Sequence, residues 1–588
     1  MFFIYRIIIT FFLSIFLRLV PLNYRNRLLV FVHPRNQPRQ IPVDCLIEIL
    51  EHLRNDTSAL HSCILVNRIW CLFAVRILWR SPFEHVNSEK YGSLAIRTYI
   101  SCLSDQEKQK LINNGIEIPN LNQPYLDYPG FLQSFDYYGF ISSVHSWLIE
   151  IMGEDDIPDD ELIKDTAQII GEMICRRSPG FKELKYLRKE STNMINMTLM
   201  DLSNYNGVID ALSKLQRFEF RSSNHADDDF TRNWIKLFTK ISTSTRNLQH
   251  ITICLSKNNR DTFKELDHSI SDLIRSQSRL QSISVNSFWS VTNSSLIYDA
   301  ILFHSRSLNY LRLQGLSDLP LLFQVLNSCE NLEILEFTRS WKKDDDFYHG
   351  NIIPSTSLKI KHLYYYFIDD SVDFLNTILK ISKNNLKTFS SKQFNPSVIT
   401  TIRNYCPNIT HLCVKLRPSD LLLFNEQLLN TLQLEHLTIQ TPYGPPLSKD
   451  QLYQLALALP QSCKYFGIDF EIGYAHLDHF LRHIRYAKLE ILALHSISDN
   501  HVKYLESAIA YAIGFKSLNE VKLQKVNHNS DLTDSQYKKW LNEQLLLAFK
   551  RFDGKYDYPH DLKISEAKPI SFSYHETVFK SKIINFTT

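Results

Sequence analysis

Residues Leu308 to Phe337 read LNYLRLQGLSDLPLLFQVLNSCENLEILEF. A leucine-like residue, two residues, a second, one residue and a third make up LNYLRL, the pattern of one short strand. A helix-compatible run follows from Asp318 to Ser328, and the polar cluster Ser328-Cys329-Glu330-Asn331 leads into the same pattern again, LEILEF at Leu332. The pattern recurs at LQRFEF (Leu215), LQHITI (Leu248), LQSISV (Leu280), IKHLYY (Ile360), LKTFSS (Leu386), ITHLCV (Ile409), LEHLTI (Leu434), CKYFGI (Cys463), LEILAL (Leu489) and LNEVKL (Leu518), with a degenerate copy at Phe181 (FKELKY). Lys449 to Leu459 is another helix-compatible run between stations.

From Leu215 onward the stations lie 23 to 33 residues apart, and all but the first two spacings fall within the 20–29 residue leucine-rich-repeat period. The expected class is therefore α/β: a three-helix N-terminal unit followed by a repeat solenoid with parallel inner strands, each repeat burying its apolar face only against its neighbours. No regular asparagine follows the strands, which makes this a loose, divergent array. Residues between and just after the last two leucine-like positions face the inner sheet surface, the usual binding face of such arrays. Arg312, Glu336, Tyr364, Tyr366 and Lys522 are the target-binding candidates, and the run Tyr364-Tyr365-Tyr366 is the best local interface anchor. The whole face is chemically mixed, without a stripe of one sign.

Ile41 to Arg80 reads IPVDCLIEILEHLRNDTSALHSCILVNRIWCLFAVRILWR. Apolar residues recur at helical steps in Leu46, Ile49, Leu50 and Leu53. Pro42 suits a first helical position, Asp44 and Glu48 lie near the positive end of the helix dipole, and Asn55-Asp56-Thr57 can cap a second helix. Ile41-Pro42, Asp44, Val66, Arg68, Trp70 and Leu78-Trp79-Arg80 fall at the spacing of an F-box, which this segment resembles. Ile41 stands for the family's usual leucine, Asp44 for glutamate, and Asn67 where cysteine or another small residue is common. The resemblance implies docking on a Skp-type adaptor through Pro42, Leu46, Ile49, Leu50, Leu53, Val66 and Trp70, and through the adaptor on a cullin. Together with the repeats, the chain resembles the F-box and leucine-rich-repeat proteins expanded in fungi. That implies a non-catalytic substrate-recognition subunit of an SCF-type ubiquitin ligase that binds an unidentified protein target. The alternative is a leucine-rich-repeat interaction scaffold without a ligase role, membrane-tethered if the N-terminus anchors.

The 588 residues carry 65 basic and 62 acidic side chains, a net charge of +3, so the charge balance gives no support to nucleic-acid binding. Ten dispersed cysteines without a CxxC pair indicate neither a zinc framework nor a disulfide scaffold and suit a reducing cytoplasmic or nuclear setting. Met1 to Val20 (MFFIYRIIITFFLSIFLRLV) has a charge-free core from Ile7 to Leu17, short of the roughly 20 residues of a span and close to the 7–15 of a signal core. No small-x-small cleavage site follows. A mis-assigned start, a membrane anchor facing the cytosol through Arg18, Arg25 and Arg27, and a cleaved signal all stand open.

The expected organisation is an apolar segment at 1–36, the helical module at 37–83, a helical connector at 84–180, the array at 181–530, and a capping helix with a tail at 531–588. Ser104 to Asn113 and Asp160 to Arg176 are the connector's helix patterns, Glu154 to Glu161 is an acidic turn, and Thr533 to Phe552 would cap the array. With 15 glycines there is little material for a phosphate-binding loop, and no cofactor or metal is expected. His476, His479 and His483 stand at His-x-x-His and His-x-x-x-His spacing, close to what metal sites use, but without HExxH they read as a solvated or packed helix face. Asp227 to Asp229 and Asp344 to Asp346 read as solvated loops. The sequons at Asn55, Asn196, Asn293, Asn408 and Asn585 matter only in an exported chain.

Overall fold

A computed structural model describes residues 41–84, 89–118, 123–153, 158–187, 201–222, 228–255, 263–287, 294–315, 319–338, 358–366, 372–441, 447–495, 501–515, 517–523, 543–544 and 563–566. The Met1 to Val20 segment, Asp344 to Asp346 and almost all of the expected capping helix lie outside the described residues. The chain divides into two compact units, Met1–Pro82 and Phe83–Thr588.

Among the described residues, the first unit shows three helices, α1 (Val43–His52), α2 (Thr57–Ile64) and α3 (Arg68–Leu78). Pro42 precedes α1, and its carbonyl accepts from the Leu46 N–H at 3.0 Å. The Asp56 carboxylate caps α2 by accepting from the Ala59 N–H at 2.9 Å. Asn67 caps α3, its amide oxygen accepting from the N–H groups of Ile69 and Trp70 at 2.9 and 3.0 Å. An asparagine at this position therefore has a local reason: it satisfies two N–H groups that the helix cannot pair internally. Leu46, Leu50, Leu60, Cys63, Ala74 and Ile77 close the core, with Leu53, Ile64, Trp70, Phe73 and Leu78 packed around it. Arg80 ties the end of the unit back to α1 through a two-pronged pair with Glu51, at 3.0 and 2.6 Å.

Among the described residues, the second unit shows one 15-stranded parallel sheet in strictly sequential order. Its strands are β1 (Ser134–Asp136), β2 (Glu183–Leu187), β3 (Arg217–Arg221), β4 (His250–Leu255), β5 (Ser282–Ser287), β6 (Tyr310–Gln314), β7 (Ile334–Thr338), β8 (His362–Tyr366), β9 (Thr388–Phe394), β10 (His411–Leu416), β11 (His436–Gln440), β12 (Tyr465–Asp469), β13 (Ile491–Leu494), β14 (Glu520–Leu523) and β15 (Lys563–Glu566). All twelve repeat stations and the degenerate copy at Phe181 become strands β2 to β14. Helices connect most of these strands, and consecutive helices pack on one another. Parallel strands in sequential order with such crossovers make a repeat solenoid, helices on one face of the sheet.

In register, Leu311, Leu335, Leu363, Phe389, Leu412, Leu437, Phe466 and Leu492 form one row of the ladder, and each is wholly buried beneath the helices. The polar clusters ahead of the strands also have a function. Asn331, Asn385 and Asn408 donate side-chain N–H groups to the Arg306, Leu358 and Asn384 carbonyls one repeat earlier, at 2.8, 2.9 and 2.8 Å. Ser307, Ser462 and Ser517 do the same with hydroxyls toward Leu280, Leu434 and Leu489. Turn groups thus stitch neighbouring repeats together.

The region expected as a connector is more than that. Its predicted helices form, as Asp105–Asn113 behind a Ser104/Glu107 capping box and as Asp160–Arg177. Between them, however, β1 pairs with β2 and starts the sheet. Phe135 of β1 lies among Phe83, Phe140 and Phe181, at ring-centroid distances of 6.1, 5.3 and 5.1 Å. Gly139 sits where the following helix meets the Phe83 backbone: a Cβ there would come within 2.2 Å of the Phe83 carbonyl oxygen. At the other end the tail adds β15 beside β14.

Candidate functional site

The sheet face without helices carries three rows of side chains. The middle row runs Lys185, Glu219, Thr252, Ser284, Arg312, Glu336, Tyr364, Ser390, Cys413, Thr438, Gly467, Ala493 and Lys522 in register. Four of the five target-binding candidates prove to be packed or paired inside this face. Glu336 is 1% exposed, holds the Arg312 guanidinium at 3.3 Å and accepts from the Tyr310 hydroxyl at 3.2 Å. Tyr364 and Tyr366 are 5% and 2% exposed, and Tyr366 donates to the Ser390 hydroxyl at 3.2 Å. Burial pushes both phenols well above their ordinary range. These tyrosines thus pack within the sheet face instead of standing out from it. Strands about 4.8 Å apart bring large middle-row side chains into mutual contact, and they shield one another. Lys522 keeps part of its surface, 3.8 Å from Glu520.

Accessible surface lies on the row at the start of each strand, in Tyr310, Ile334, His362, Thr388, His411, His436, Tyr465 and Ile491. Rings stack along it: His411 on His436 with centroids 5.5 Å apart, and His436 on Tyr465 at 3.7 Å with planes 9° from parallel. Lys522 lies over the same Tyr465 ring at 5.7 Å. Sequence reasoning passed over this row because its members sit one residue before the pattern's second leucine. The recurrent His or Tyr there, His362, His411, His436 and Tyr465, was the available signal.

Burial, followed by the charges of His411, Lys522 and His495, lowers the His436 pKa from 6.5 to about 3. His250, at the same position of β4, falls to about 4 through burial and Arg217. Between pH 6.5 and those values the unfolded chain binds a proton that the folded chain refuses. Stability is then complete above 6.5 and declines as the pH falls, by about 1.4 kcal/mol per pH unit, toward about 3 for His436 and about 4 for His250. Denaturant titrations of full-length chain and His436→Gln at pH 7.5 and 5 should show a smaller pH penalty in the variant. Equal penalties would refute the assignment.

In the first unit, Leu46 and Leu50 are 2% and 0% exposed, so these two adaptor-contact candidates are core residues and not surface. Leu53 and Trp70 pack partly against the same cluster, Ile49 and Val66 are half-buried, and Pro42 is exposed. The accessible apolar side chains are others: Leu65 at 86%, Ile41 and Val43 at 46% each, and Ile69 at 45%. Leu65 follows the end of α2 and belongs to no helix, which is why a periodicity count omits it.

Among the described residues no group of three or more His, Cys, Asp or Glu is placed to hold a metal ion, and no helix is long and apolar enough to cross a membrane. All ten cysteines are free, and burial pushes the thiols of Cys406 and Cys463 up to about 12, leaving them protonated at neutral pH. No protein-family model and no curated protein matches the chain.

Proposed function

We propose that the chain is a substrate-recognition subunit of an SCF-type ubiquitin ligase, its first unit acting as an F-box for a Skp-type adaptor and its array holding a protein target. The observation that carries the reading is the apolar surface left over after the three-helix core has closed. A unit this small that leaves Leu65 at 86% and Ile69 at 45% exposed gains by covering them with a partner. Ile41, Pro42 and Val43, at the start of α1, add apolar surface of the same kind. Pro42, Ile49, Leu53, Val66 and Trp70 stay in the adaptor-contact set, whereas Leu46 and Leu50 hold the helices that present it.

The target would meet the strand-start row, where His411, His436 and Tyr465 form a stacked platform with Lys522 beside it. Flat rings already held in place lose little conformational freedom on binding, which favours them as contact residues. In this role the chain brings two proteins together and leaves the transfer of ubiquitin to other subunits.

Co-expression of the full-length chain with a Skp-type adaptor tests the reading. The complex should co-purify from wild type and be lost in the Leu65→Asp, Ile69→Asp double variant, with helix content unchanged by circular dichroism. Leu50→Asp is unsuitable, because a charge in the closed core would unfold the unit. Failure of the wild-type chain to bind would sink the ligase role and leave the array as an interaction scaffold. Fractionation of the tagged full-length chain would then decide whether that scaffold is membrane-tethered.

A further inference from the structure

We propose that His479 and His483, on the helix Tyr474–His483 of the array, form a two-imidazole binding site for a divalent first-row transition ion. The two residues are one helical turn apart and share a face. Their ring centroids lie 4.3 Å apart with planes at 47°. Two imidazole nitrogens bound to one ion sit roughly 3 Å apart, given metal–nitrogen bonds of about 2.0–2.1 Å, so small side-chain rotations bring the pair onto a common ion.

The backbone of His479 orients the His483 ring. Its Nδ1 lies 2.7 Å from the His479 carbonyl oxygen. A carbonyl only accepts, so Nδ1 is the donor in this contact and Nε2 is the nitrogen left to face a metal. Metal-binding histidines commonly donate their second N–H to a backbone carbonyl in this way, which fixes the ring and raises its basicity. Tyr453, on the neighbouring helix Lys449–Ala458, packs its ring on both imidazoles, 5.0 Å from His483 and 6.1 Å from His479. That contact limits how far either ring can swing away.

Asp478 is engaged with Arg482 at 2.7 Å and does not supply a third ligand. Two nitrogens completed by water suit Cu2+ and Ni2+ better than Zn2+, whose sites usually draw three or four ligands from the protein.

His268 provides an internal control. Its Nδ1 makes the same bond to a carbonyl one turn earlier, that of Lys264 at 2.6 Å, yet Lys264 and Asp272 occupy the positions a partner imidazole would need. The test is equilibrium dialysis of the untagged full-length chain against Ni2+, an ion that does not oxidise thiols, with the bound metal counted. We expect one equivalent of Ni2+ to be lost in both His479→Ala and His483→Ala and retained in His268→Ala and His476→Ala, with circular dichroism unchanged throughout. Cu2+ should bind more tightly at the same site and show two nitrogen ligands in its paramagnetic resonance spectrum. Absence of a bound equivalent, or one that survives either single variant at His479 or His483, would overturn the proposal.

Discussion

Replacing Phe135 with alanine should destabilise the array by about 3–5 kcal/mol, the usual cost of removing a buried phenylalanine. The side chain is wholly buried and touches four other rings, Phe83, Tyr137, Phe140 and Phe181, at 5.1 to 6.3 Å between centroids. It belongs to β1, a three-residue strand with few other means of holding its place at the edge of the sheet. Loss of the ring should therefore loosen β1 from β2 and expose the first repeats, because in a solenoid each unit is supported by its neighbours. Urea unfolding followed by circular dichroism and by tryptophan fluorescence would measure the change. The midpoint should fall, and the early repeats should melt before the rest. A wild-type midpoint would show that residues 84–180 are a dispensable connector after all.

The second large effect concerns Lys185, whose side chain is only 4% exposed on the middle row of the sheet. Its ammonium group lies 2.5 Å from Glu84 and 3.3 Å from Glu183. Burial alone would lower its pKa, but the Glu183 and Glu84 carboxylates outweigh burial and the net shift is upward. Removing the cation leaves two carboxylates facing each other. Lys185→Ala should cost about 3 kcal/mol, the lower end for a broken buried pair, since both carboxylates keep some hydration. Lys185→Met restores the apolar stem without the charge and should recover only the packing part of that loss.

The sign of the pH dependence follows from the raised pKa. The stabilisation by Lys185 is complete below its unfolded value of 10.5 and is lost only as the pH rises through the higher folded value. The deficit of Lys185→Met against wild type should therefore be constant from pH 6 to 9 and shrink in strong alkali. A deficit that varied across neutral pH, or a Met variant as stable as wild type, would mean that the pair does not hold this part of the sheet.

Local pattern carried much of the fold. Leucine-like residues at Leu308, Leu311 and Leu313, repeated from station to station, marked strands β2 to β14, because a strand buried on one side must alternate and a repeat must recur at its own period. Asp56, within Asn55-Asp56-Thr57, announced a helix start by the hydrogen bond its side chain offers, and it caps α2. β1 was not legible in this way: Phe135 lies outside the repeat period, and its strand exists only because β2 supplies the partner and four rings supply the contact. The candidate site was legible in position but not in exposure. Pattern placed Arg312, Glu336, Tyr364 and Tyr366 on the sheet face, yet whether a side chain there meets solvent depends on the strands to either side, which come from residues some 25 positions away. Leu46 and Leu50 went the opposite way, from an expected contact surface into a core, because three helices that close on each other compete with any partner for the same apolar side chains. Periodicity is a property of neighbouring residues and was readable from the chain alone; accessibility is a property of what packs across from them, and only the tertiary structure decided it.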